Sequence, residues 1–131
     1  MKKSDLDALQ HVLTQAMNRD VAVLAKIRDR IVQTTQAKAE LGVVAKREFP
    51  QASSLAELKC YDNWTRWADA KSGELDRANV ALSEQAEAAR KVLARSFGKT
   101  EAVKYLGETA EAEELLTHRR KAEQNGQIPD R

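Results

Sequence analysis

From Leu6 onward the apolar residues return at heptad spacing, the repeat that keeps one seam of a helix turned towards a partner. One column is Leu6, Leu13, Asp20, Ile27, Thr34 and Leu41, and a second is Leu9, Ala16, Val23, Arg30, Ala37 and Val44. A third flanks them: Gln10, Met17, Leu24, Ile31, Lys38 and Ala45. Ser4 followed by two acids suits a helix start, so the pattern predicts a first helix over residues 4–47 with Ser4 as its N-cap. Glu48-Phe49-Pro50-Gln51-Ala52-Ser53 breaks the pattern. Proline cannot donate the backbone hydrogen bond and clashes with the preceding turn, so residues 48–53 are expected to be a turn.

Ser54-Leu55-Ala56-Glu57 has the spacing of a capping box and opens a second predicted helix over residues 54–124. Its columns are Tyr61, Ala68, Leu75, Leu82, Ala89, Ser96 and Leu58, Thr65, Ser72, Asn79, Ala86, Leu93. Asn125-Gly126 is a C-cap signal, and residues 125–131, with Pro129, read as a flexible tail. The expected fold is all-α: an antiparallel two-helix coiled-coil hairpin with a C-terminal helical overhang.

Large residues best oppose small ones when paired residue numbers add to about 102. Leu41 would then face Tyr61, Ile27 would face Leu75, and Val44 would face Leu58. Ser4 would lie opposite Gly98, leaving residues 99–124 without a partner and a kink plausible near Gly98. Asp20, Arg30, Thr34, Lys38, Thr65, Ser72 and Asn79 sit on or beside this seam. A buried Leu contributes roughly 1.5–3 kcal/mol and a polar layer much less, so the middle of the hairpin is expected to be loose.

Composition sharpens this picture. The 131 residues are 32% charged and only 5% aromatic, the mixture of long helices and coiled coils in a single domain. The net charge is +2, but residues 1–47 carry nine Lys/Arg against five Asp/Glu, which leaves −2 for the rest. That asymmetry suits two helices that attract each other, and the weak total disfavours nucleic acid as a partner. One cysteine excludes an internal disulfide. Met1-Lys2-Lys3-Ser4-Asp5 has no apolar run behind it, so no signal peptide is expected, and no run approaches the roughly 20 apolar residues of a membrane span. A cytoplasmic location without a membrane span is the expectation.

The chemistry of an enzyme is missing. The five glycines are dispersed, so no phosphate-binding loop forms. His11 and His118 have no third ligand in view, so no metal site is expected. Cys60 has no evident base and reads as a small apolar residue. No catalytic residue, cofactor or small-molecule substrate is expected. Four of the six aromatics, Phe49, Tyr61, Trp64 and Trp67, fall within nineteen residues around the bend. They either cap the end of the hairpin or form an exposed contact patch, since Trp and Tyr are the usual anchors of interfaces. The runs Arg28-Asp29-Arg30 and His118-Arg119-Arg120-Lys121 read as solvated surface, the second also suiting an acidic partner.

The segment Ala88-Ala89-Arg90-Lys91-Val92-Leu93-Ala94-Arg95-Ser96-Phe97-Gly98-Lys99-Thr100-Glu101-Ala102-Val103-Lys104-Tyr105-Leu106, with the whole-chain helical pattern, resembles the FliJ/YscO family of flagellar and type III secretion stalk proteins. The likeness spans most of the chain and is specific over about twenty residues. It implies a non-enzymatic cytoplasmic stalk that contacts an export ATPase, an export gate and, in some members, export chaperones. Leu41, Phe49, Tyr61, Trp64 and Trp67 would then lie at the gate-contacting tip. Arg90, Lys91, Arg95, Lys99, Arg119, Arg120 and Lys121 would lie towards the ATPase end. A short first helix departs from the family pattern. Two other readings of the heptads stay open: a self-assembling coiled-coil scaffold and a nucleic-acid-binding hairpin.

Overall fold

The computed structural model describes residues 2–51 and 53–126. Most of the expected tail, with Pro129, lies outside the described residues, as does Ala52 of the expected turn. Two helices pack against each other, α1 (Lys3–Glu48, 46 residues) and α2 (Leu55–Gln124, 70 residues), with no strand among the described residues.

Local chemistry sets the helix ends. At the start of α1 the Lys2 carbonyl accepts from the amides of Asp5 and Leu6 at 3.0 and 3.1 Å. Ser4 therefore lies inside the first turn and is not the N-cap expected of it. The Phe49 amide still donates to the Ala45 carbonyl at 3.0 Å, and Pro50 then stops the helix because it has no amide to continue with. At the start of α2, the Ser54 hydroxyl accepts from the Glu57 amide at 3.1 Å, while the Glu57 carboxylate accepts from the Ser53 amide at 3.0 Å. Two amides that the helix cannot satisfy are thus bonded by one serine and one acid. Gly126, at φ +73°, takes the left-handed conformation that closes α2.

Contacts divide the chain into two compact units: Met1–Val21 with Lys91–Arg131, and Ala22–Arg90. In the first, Lys3 pairs with Glu111 at 2.5 Å, and the Ser96 hydroxyl donates to the Asp20 carboxylate. In the second, Lys38 pairs with Asp76 at 2.7 Å. The residue numbers of both ion pairs add to 114, twelve more than the expected 102. The expected register would have set Asp20 against Leu82 and Lys38 against Trp64. The observed one gives each of these charged groups a polar partner, which matters chiefly for the part-buried Asp20 carboxylate, since Lys38 and Asp76 are both about half exposed.

The buried face of α1 also differs from expectation. Leu6, Gln10, Leu13, Met17, Asp20, Leu24, Ile27, Ile31, Thr34 and Leu41 are buried or half-buried, so the first column pairs with the third. Leu9, Val23, Arg30 and Ala37 of the second column are exposed, Leu9 at 37%, while its Ala16 and Val44 are half-buried; in the third column Lys38 is exposed. The third column offers Met17, Leu24 and Ile31 where the second offers Ala16, Val23 and Arg30. Burying it removes more apolar area from water and leaves the guanidinium solvated. On α2 the buried and half-buried positions follow both expected columns from Thr65 onward, but not at Leu58 and Tyr61, which are exposed, and run on through Thr100, Val103, Gly107 and Ala110. Thr100 is only 7% exposed, and its hydroxyl is satisfied by donating to the Ser96 carbonyl one turn back at 2.9 Å. Thr34 and Thr65 satisfy their hydroxyls on their own helix in the same way at 2.8 Å.

The core is thin: the apolar residues below a tenth exposure among those described are Leu6, Leu24, Ala68 and Val103. The chain leaves 10357 Å² accessible, against about 6,900 Å² expected of a folded 14.6 kDa chain.

Candidate protein-contact surfaces

The register decides what is left uncovered. α2 exceeds α1 by 24 residues. Pairing at 114 sets Lys3 against Glu111 in the first unit and, extended from Lys38–Asp76 to the end of α1, would set Glu48 against Arg66 in the second. Residues 55–65 at the start of α2 and 112–124 at its end then have no α1 residue opposite. The expected register placed the whole surplus at the C-terminal end, from residue 99 onward. Residues 99–111 instead have α1 alongside.

The tip surplus belongs to the second unit. Phe49, the first residue after α1, folds over it, with its ring centroid 5.4 Å from that of Tyr61 in an edge-on arrangement and 5.7 Å from that of Trp64. One half-buried phenylalanine therefore holds two aromatics of α2. The remaining apolar groups are open to solvent: Leu55 is 70% exposed, Trp67 is 55% exposed, and Leu58 and Tyr61 are also exposed. The expected seam contact of Leu58 with Val44 is absent from this arrangement because α1 ends at Glu48, before the register reaches it. Leu41 lines a shallow hollow with Trp64, Ala68 and Ser72 rather than facing Tyr61. A second hollow runs between Phe49, Pro50, Ala56, Glu57 and Cys60. The structure thus brings Phe49, Tyr61 and Trp64 together, sets Leu41 beside Trp64, and leaves Trp67 outside the cluster. Leu55 and Leu58, which the sequence reading did not single out as contact residues, add to the same surface.

The basic residues expected at the other end are spread over two units. Arg90 belongs to the second, where it bonds Glu87 one turn earlier at 3.2 Å. Lys91, Arg95 and Lys99 are exposed along the part of α2 that has α1 beside it. Arg119, Arg120 and Lys121 are exposed on the terminal surplus. Lys121 lines a hollow with Lys2, Lys3, Glu113, Glu114, Thr117 and His118. Here the Lys3 ammonium is held above its ordinary pKa of 10.5, first by its hydrogen bond to Glu111 and then by that carboxylate's charge.

No group of three or more His, Cys, Asp or Glu among the described residues could hold a metal ion. No described helix is long and apolar enough to cross a membrane. Comparison with protein-family models, with curated proteins and with solved structures finds no match.

Proposed function

We propose that this chain is a non-enzymatic coiled-coil stalk or adaptor of a bacterial flagellar or type III protein-export apparatus, acting in the cytoplasm as an antiparallel helical hairpin. Its partners in this reading are the export ATPase and the export gate, with export chaperones as further ligands. The observation that carries it is the uncovered tip, where Leu55, Leu58, Tyr61 and Trp67 are exposed around the Phe49 cluster. Exposed aromatic and aliphatic groups on a rigid helix are what a protein partner buries with most gain. The resemblance of residues 88–106 to FliJ/YscO proteins supplies the identity of the partners.

Mixing the chain with a cognate export ATPase should promote hexamer assembly or raise ATP turnover. Gate binding should be lost in Trp67→Ala and Leu55→Ala while helix content is kept. Absence of both ATPase binding and stimulation sinks the export reading.

A further inference from the structure

We propose that two copies of this chain associate side by side and antiparallel through a second stripe on α2, distinct from the seam that faces α1. The stripe lies wholly within the first unit. Val92, Arg95, Lys99, Ala102, Leu106, Thr109, Glu113 and Leu116 follow one another at alternating steps of three and four residues, and every one is exposed. That is the heptad rhythm again, on a face that α1 does not cover. Leu106 is 52% and Leu116 51% exposed.

The stripe is complementary to itself when reversed. Set against a second copy with residue numbers adding to 208, Val92 meets Leu116, and Ala102 meets Leu106, a small residue against a large one. In the same alignment Arg95 meets Glu113, and Lys99 meets Thr109. Twofold symmetry makes each of these contacts twice. A parallel pairing would instead stack Arg95, Lys99 and Glu113 on their own copies, which like charges oppose. Among the described residues none of these three makes an ion pair within the chain, so their charges are available to a partner. The thin core gives the association its drive, because little apolar area is removed from water within one copy.

Sedimentation equilibrium of the full chain, in reducing buffer so that exposed Cys60 cannot cross-link, tests this. The mass should rise towards twice 14.6 kDa with concentration. Leu106→Asp should hold it at the monomer value with unchanged helix content, since Leu106 is exposed within one copy. Arg95→Glu and Glu113→Arg should each raise the dissociation constant by about tenfold or more, and the double exchange should restore it. A monomer at all concentrations, a dimer indifferent to Leu106→Asp, or a double exchange no better than the singles would each overturn the proposal. Failure to bind an export ATPase would leave the dimer untouched, and a monomeric chain would leave the export reading untouched.

Discussion

Lys3 and Glu111 meet at 2.5 Å although 108 positions separate them in the chain. This pair ties the first turn of α1 to α2 well short of the end of α2, so within this unit the residues after Glu111 have no α1 residue opposite. Both side chains are about half exposed, so the pair marks the register more than it stabilises it.

Its titration should be visible. The folded pKa of Lys3 is raised, so the pair's contribution is complete below the ordinary value of 10.5 and is lost as pH climbs through the folded value. In an NMR titration of the lysine side chains, Lys3 should lose its proton above 10.5. Glu111→Gln should bring that midpoint down, and a wild-type midpoint at or below 10.5 would contradict the pairing.

Ser96 is the donor that satisfies the part-buried Asp20 carboxylate. Ser96→Ala should cost about 1–3 kcal/mol in urea unfolding, because the carboxylate loses its donor while staying in the seam. Asp20→Leu combined with Ser96→Ala should recover most of that loss. Equal cost in the single and double variants would show that Asp20 does not depend on Ser96.

Phe49 should matter far more than Trp67. Removing its ring strips Tyr61 and Trp64 of their shared neighbour, so Phe49→Ala should destabilise by roughly 2–4 kcal/mol. In a Trp67→Phe background, the emission of Trp64 should shift to the red at the same time. Trp67→Ala should change stability by less than about 0.5 kcal/mol, as expected at an exposed site. Comparable losses at the two positions would mean that the cluster is not organised by Phe49.

Asn79 stands in the seam of the second unit with its side-chain oxygen buried and without a hydrogen-bond partner. Replacing it by leucine should raise stability by about 1–2 kcal/mol, since an unsatisfied polar atom gives way to apolar burial. Thermal unfolding of Asn79→Leu checks this, and a lower midpoint would indicate that the amide is satisfied in solution.

The sequence by itself determined that there are two helices and very nearly where they end. Pro50 lacks an amide, Ser54 and Glu57 bond the free amides of α2, and Gly126 takes a left-handed turn. These are local effects carried by a few neighbouring residues. From Thr65 onward the two seam columns of α2 were equally legible, because heptad spacing is a property of one stretch of sequence; their first members, Leu58 and Tyr61, are exposed instead. The seam of α1 was not: its first column could pair with the one three residues on or the one four residues on, and only burial of Met17, Leu24 and Ile31 against a real neighbour chose between them. The register was decided there too. Any sliding of two heptad helices brings apolar residues opposite one another, so large-against-small matching discriminates weakly. The part-buried Asp20 discriminates better, because its carboxylate loses solvation and needs the Ser96 donor opposite it, while Lys38 and Asp76, both about half exposed, mark the same register. That requirement moved the pairing by twelve residues and left part of α2 uncovered at the tip. The exposure of Leu58 and Tyr61 is its consequence, and no local pattern in the sequence carries it; Trp67, off both seam columns, was already legible as a candidate contact residue.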